Sequence, residues 1–175
     1  DHDISGRVVL VTQEGTRPLL VEVQALIDSS SLANPRRLCV GLDAQRLVML
    51  LAVLHRHGGV GLGGDDIFVN VAGGIRVMDS GADVAVAAAV LSSLLNKKFP
   101  ADTVCFGEVG LAGEIRAVAS QVTVDQDVIV AGERSSDTKP GRVPAREIEK
   151  DDAMVVVGET EKGEDPFGVL VTAKP

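Results

Sequence analysis

Hydrophobic and polar positions partly alternate over the first part of the chain and predict a hairpin of two long strands. Residues 7–12 and 19–27 are rich in β-branched side chains, and residues 14–18, which join them, contain a glycine and a proline. Shorter apolar runs bounded by turn-forming residues recur later in the chain. They predict further strands at 36–41, 67–72, 103–107 and 113–118.

A segment from about residue 44 to 57 predicts the first helix. Asp43 can cap its start, and Gly58 and Gly59 are suited to close it. Because the middle of this segment is apolar almost all round, we expect the helix to be buried.

A second segment, rich in Ala, Val and Leu, predicts a helix that ends at about Asn96. Ser80 and Asp83 have the S-x-x-D spacing of a capping box, which makes Ser80 the expected helix cap. Lys97 and Lys98 are expected in the last turn, where they would complement the helix dipole.

The order of these elements indicates an α+β fold. Two buried helices, each preceded by a strand, are typical of a mixed sheet with helices packed on it. Beyond residue 121 the apolar runs become short and are separated by polar stretches with Gly and Pro. We therefore expect one domain over 1–121 and a divergent segment over 122–175, which packs on the same domain because about 50 residues are marginal alone.

Composition narrows the range of functions. The chain has 175 residues and a net charge of −8, which argues against attraction of the whole surface to nucleic acid or anionic membrane. Any such binding would need a local basic patch. The absence of Trp and Tyr, with only 4 Phe, excludes RRM and OB-fold modules, which stack bases on aromatic side chains.

The cysteines and the apolar runs suggest the compartment. No apolar run approaches the roughly 20 residues of a membrane span, and the first residues do not form a basic signal-peptide start. Cys39 and Cys105 lie in strand-like stretches without a CxxC partner, so we interpret them as reduced core residues. A soluble, cytoplasmic protein without a membrane partner is expected.

Two motifs that suggest ligand chemistry have simpler explanations. The glycine-rich run at 58–64 lacks the Lys-Ser/Thr of a P-loop and lies between a helix and a strand, so it predicts a connector and no ATP site. His55 and His57 are two residues apart and would point to different faces of a helix, which excludes a shared metal ion. No metal or cofactor is expected in this domain.

Residues 69–83, Val-Asn-Val-Ala-Gly-Gly-Ile-Arg-Val-Met-Asp-Ser-Gly-Ala-Asp, are the most informative stretch. With residues 107–118 they resemble the Lon-type serine peptidase domain, where a D-G-P-S-A-G motif places a nucleophilic serine at a helix start. The resemblance puts the nucleophile at Gly81 and the lysine base at Val122. Because neither side chain can perform that chemistry, no catalytic residue is expected.

Several other motifs resemble one branch of that group more closely. They are Glu-Gly-Thr-Arg-Pro-Leu-Leu at 14–20, Asn-Pro-Arg-Arg at 34–37, Gly-Leu-Asp at 41–43 followed by Arg46-Leu47, and Phe-Gly-Glu-Val-Gly-Leu at 106–111. Together they resemble the C-terminal Lon-like domain of the RadA (Sms) family of bacterial DNA repair proteins. The resemblance covers about residues 5–120.

This resemblance implies a ribosomal S5 domain 2-like fold and a non-catalytic scaffold role. It implies a parent ATPase that assembles as a hexamer and engages single-stranded or branched DNA during recombination and branch migration, with a recombinase as a further partner. ATP and zinc are implied only for segments outside this chain. Two alternatives stay open: a peptidase with a rearranged dyad of Ser80 and Lys97 or Lys98, and a purely protein-binding module.

Phosphate contacts are the kind of DNA binding that this composition allows, since they need neither aromatic stacking nor base readout. The hypothesis is a weak, local DNA-facing patch, whose alternative is ordinary solvated surface charge. Its predicted members are Arg36, Arg37, Arg46, Arg56, Lys97 and Lys98.

Overall fold

The computed structural model describes residues 4–14, 17–99, 103–116 and 129–130. Two helices and eight strands lie in this part of the chain. In chain order they are β1 (Arg7–Glu14), β2 (Arg17–Ser29), β3 (Arg37–Val40), α1 (Ala44–Gly58), β4 (Asp65–Val71), α2 (Asp83–Leu95), β5 (Thr103–Cys105), β6 (Glu108–Val109), β7 (Ile115–Arg116) and β8 (Ile129–Val130).

Six strands form one mixed sheet in the order β3-β4-β2-β1-β5-β8. β1 and β2 pair antiparallel from Arg7 opposite Gln24 to Glu14 opposite Arg17, which confirms the predicted hairpin. β2 also pairs antiparallel with β4, whereas β3–β4, β1–β5 and β5–β8 are parallel. β6 and β7 form a separate antiparallel ladder. The α+β prediction is confirmed.

The ends of α1 follow the sequence prediction. The Oδ1 atom of Asp43 accepts hydrogen bonds from the backbone N–H groups of Gln45 and Arg46, and Gly59 closes the helix at φ 65°. The expectation that α1 is buried nearly all round is wrong, because Val48 and Met49 are 54% and 38% exposed. One face packs on the core while the other faces outward.

α2 is the centre of the fold. Every residue from Asp83 to Ser92 is buried, and the helix lies on β1 and β2 with α1 also packed against it. Its small Ala and Val side chains allow the helix to approach its neighbours closely. Asn96 ends the helix in the left-handed conformation. Lys97 and Lys98 therefore lie beyond the helix and not in its last turn, which corrects that prediction.

Hydrogen bonds join the end of α2 to the segment that enters β1. The Ser92 hydroxyl accepts a hydrogen bond from the Gly6 N–H at 2.8 Å, and the Ser5 hydroxyl donates to Asn96 at 2.9 Å. A β-carbon on Gly6 would lie 2.3 Å from the Ala25 carbonyl oxygen, and its φ is +80°. Glycine is therefore required where the chain enters β1.

Cys105 is fully buried and Cys39 is half-buried, and both are free thiols, as predicted. Burial raises the pKa of each thiol. Within the described ranges, neither helix has the length and hydropathy needed to cross a membrane. Val122, the proposed boundary at residue 121 and nearly all of 122–175 lie outside the described residues.

Candidate functional site

The position that the resemblance assigns to a nucleophile lies at the start of α2. One 3₁₀ turn, Ser80–Ala82, precedes the helix, and Gly81 is buried in it. The Gly81 N–H donates to Oδ1 of Asp79 at 3.0 Å, and its carbonyl accepts the Gly107 N–H at 2.8 Å. The backbone is thus held between two elements, and residue 81 offers no side chain to a substrate.

Ser80 does not cap α2, so the capping-box prediction is wrong. Its hydroxyl donates a hydrogen bond to Oε2 of Glu108 at 2.5 Å. Oδ1 of Asp79 accepts the hydrogen bond from the Gly81 N–H at the start of the turn instead. The reason is that Ser80 is already the first residue of the 3₁₀ turn, so its side chain points toward β6.

Asp83 forms a buried ion pair with Arg46. Both carboxylate oxygens accept from the guanidinium, with Nε 2.9 Å from Oδ1, and the Val109 N–H donates to Oδ2 at 2.9 Å. The guanidinium also donates to the Val109 carbonyl at 3.1 Å. Burial raises the pKa of Asp83, and the bonds from Arg46 and Val109 oppose that rise. The pair joins α1, α2 and β6.

An open pocket of about 250 Å³ lies next to this ion pair, between α1, the segment that precedes α2, and α2 itself. Its walls are mostly aliphatic and include Met49 and Met78. Its polar lining includes Asp43, Asp79 and Ser80 as well as Arg46 and Asp83. The two capping carboxylates are exposed, so they lie at the mouth of the pocket.

Five of the six basic residues predicted to bind DNA lie at the opposite end of the fold. The Ile27 N–H donates to Ser93 near the end of α2, and Ile27 pairs with Ile67, which pairs with Arg37. The C-terminal end of α2 and the starts of β3 and β4 therefore lie together. α1 ends toward the same side, since the short connector from α1 to β4 is bound by Arg37 through the Leu62 carbonyl. We call this region, with Arg36, Arg37, Arg56, Lys97 and Lys98, the basic end.

Two arginines of the basic end have internal partners. Arg36 donates to Oδ2 of Asp66 through Nε and Nη2, at 3.1 and 2.7 Å, and lies 5.3 Å from the centre of the Phe68 ring. Arg37 donates to the carbonyl oxygens of Asp65 and Leu62, at 2.8 and 2.9 Å. Both side chains therefore hold the chain around the starts of β3 and β4.

Arg56, Lys97 and Lys98 are exposed, at the ends of α1 and α2. Arg46 is separated from them, because it lies in the first turn of α1. The structure thus places five predicted residues toward the same end of the fold and leaves Arg46 at the pocket. His55 and His57 are exposed, and no group of residues in the described segments could hold a metal ion.

The acidic partners are not evident from local sequence patterns. Asp83 fits the spacing of a cap, and nothing in the neighbouring sequence distinguishes Asp66 or Glu108 as partners of Arg36 or Ser80. A signal exists for Asp83, because it is the only charged residue in a mostly apolar helix, 83–95. A carboxylate at the start of a buried helix needs a cationic partner.

Comparison with known proteins identifies the relatives of this chain. It is 58% identical over 117 residues to DNA repair protein RadA from Pseudomonas aeruginosa, which covers 67% of this chain and 26% of that protein. The chain is homologous to RadA. The RadA of Haemophilus influenzae is 59% identical over 120 residues, 69% of this chain and 26% of that protein. That of Salmonella typhimurium is 49% identical over 158 residues, 90% of this chain and 34% of that protein. No family model matches the chain.

The chain spans only about a quarter to a third of the length of these RadA relatives. Identity near 58% over two thirds of the chain agrees with the resemblance that the sequence motifs indicate.

Proposed function

We propose that this chain is a non-catalytic, Lon-like domain with an S5 domain 2-like fold in a DNA repair protein of the RadA type. In this role it supports a hexameric ring and engages DNA backbone phosphates during branch migration. The observation that carries the repair role is the homology to RadA. The clustering of basic residues at one end of the fold supports the DNA contact.

The proposed DNA-binding patch consists of Arg56, Lys97 and Lys98, assisted by Arg36 and Arg37. Arg46 is left out because it lies at the other end of the fold, in the first turn of α1 beside Asp83. The contacts would be independent of sequence and sensitive to salt.

DNA titration tests the patch. We expect R56Q/K97Q/K98Q to weaken binding to labelled single-stranded DNA and to lower the salt slope by about 0.7 for each lost phosphate contact. K97Q and R76Q, which each remove one exposed basic side chain, form the matched pair, because Arg76 follows β4 at the pocket end. Equal weakening by both variants, or binding that salt does not change, would reject the patch.

Ring assembly in this proposal uses head-to-tail contacts, since such contacts close cyclic oligomers. Residues 14–18 and 34–37 are the proposed contact edges; of the first, residues 15 and 16 lie outside the described ranges. Light scattering over a wide range of concentration tests it. A strict monomer at high micromolar concentration would count against the scaffold role.

A peptidase with a rearranged dyad finds little support. Ser80 donates a hydrogen bond to Glu108, and Lys97 and Lys98 lie beyond the far end of α2, a helix that is itself about 20 Å long at 1.5 Å per residue. A fluorophosphonate probe that labels Ser80 would reverse this conclusion.

A further inference from the structure

The pocket beside the ion pair has an unbalanced charge. Its charged lining residues are Asp43, Asp79, Asp83 and Arg46. Arg46 forms an ion pair with Asp83. Asp43 and Asp79 each use Oδ1 to cap a helical turn, and neither makes an ion pair within the described segments. The mouth of the pocket therefore carries two carboxylates whose positions are fixed by the caps.

The interior of the pocket is apolar and partly lined by flexible side chains. Leu42, Leu50 and Val77 form much of the wall, and Met49 and Met78 lie at its exposed side, Met78 being 73% exposed. Methionine adapts its shape to different partners. A volume of about 250 Å³ is below the 300–1,000 Å³ range of small-molecule pockets, so it suits one or two side chains.

We propose that this pocket binds a peptide segment of a partner protein in which an apolar side chain lies beside a lysine or arginine. The apolar side chain enters between the methionines, and the cation lies against Asp43 and Asp79. Charge complementarity selects this occupant, because the same carboxylates repel phosphate and acidic peptides. The proposal does not depend on DNA binding, which involves the opposite end of the fold.

The methionines offer a direct test. The chain has 3 methionines, so the M154L variant keeps only Met49 and Met78, both in the pocket. With ¹³C-labelled methionine methyl groups, we expect a capped Ser-Arg-Leu-Arg-Ser peptide to shift both signals in a saturable way. Ser-Arg-Ser-Arg-Ser, which lacks the apolar side chain, and Ser-Glu-Leu-Glu-Ser, which reverses the charge, should give much smaller shifts.

Variants of the carboxylates separate charge from fold. Asparagine also caps helices, so D43N and D79N remove charge while keeping the caps. Each should weaken binding of the Arg-Leu-Arg peptide about threefold, as expected for an exposed charge pair. D28N is the matched control, because Asp28 is exposed near the end of β2, away from the pocket. Unchanged circular dichroism shows that the variants fold.

Three outcomes would overturn the proposal: no shift with the Arg-Leu-Arg peptide, equal shifts with either control peptide, or equal weakening by D28N. If both methyl signals move on dilution of the protein alone, the occupant is a second copy of the chain and the partner-peptide proposal is also wrong. None of these results bears on the DNA titration, so the two proposals fail separately.

Discussion

Replacing Arg46 by methionine should cost the protein about 3 kcal/mol of its free energy of unfolding at pH 7. The substitution removes both guanidinium bonds from Asp83, whose side chain is 2% exposed, and leaves the Val109 N–H as its one donor among the described contacts. Breaking a buried pair from one side costs about 3–5 kcal/mol. The lower value applies because 32% of the Arg46 side chain is exposed.

The loss should shrink at lower pH. Burial already raises the pKa of Asp83, and removal of Arg46 would raise it further. A carboxyl group whose folded-state pKa is raised destabilises the fold as pH rises through the unfolded-state pKa near 4 and up to the folded one. Urea unfolding of R46M at pH 5 and pH 7 should therefore show the larger loss at pH 7.

A double variant provides the control. R46M/D83L removes both charges. It leaves the Val109 N–H without its acceptor and the Val109 carbonyl without the guanidinium donor, at about 1–3 kcal/mol for each buried polar group left unpaired. It should be more stable than R46M alone at pH 7. If R46M loses less than about 1 kcal/mol, or the double variant is the less stable one, the ion pair does not hold α1, α2 and β6 together as described.

Two further predictions concern the pH range and the backbone. Hydrogen bonds from Arg36 hold the pKa of Asp66 at about 2, below its ordinary value. The ionised carboxylate therefore stabilises the fold above about pH 4, and this contribution is lost as pH falls toward 2. Acid unfolding should show the loss, and D66N should abolish that part of the profile. Gly41 and Gly59 both have positive φ, but a β-carbon on Gly41 would lie 2.6 Å from a backbone oxygen while one on Gly59 meets nothing within 4 Å. G59A should cost about 1 kcal/mol in thermal or urea unfolding and G41A clearly more; equal losses would contradict the packing described.

Local patterns were enough to predict most elements of the fold. The alternation in β1 and β2, the cap at Asp43 and the left-handed closure at Gly59 depend on neighbours in the sequence, and each was found as expected. The role of Ser80 could not be predicted in this way. Its hydroxyl partner, Glu108, is 28 residues away in the sequence, and only the packing of β6 brings the two together.

The basic residues show the same limit. Their charge and number follow from the sequence, but their hydrogen-bond and ion-pair partners within the fold do not. Arg36 and Asp66 are 30 residues apart, and Arg46 and Asp83 are 37 apart. No periodicity relates such pairs, so the separation of Arg46 from the basic end could come only from the structure.

The position of α2 has a consequence for the order in which the chain can fold. β1 and β2 are adjacent in sequence, so their hairpin closes a short loop and can form early. Its inner face, however, is covered by a helix that ends only at Leu95. A ribosome-bound fragment that stops before α2 would carry an uncovered apolar sheet face and be prone to aggregation. Synthesis must therefore pass residue 95 before the domain acquires a core, and truncations that end earlier should yield no folded product.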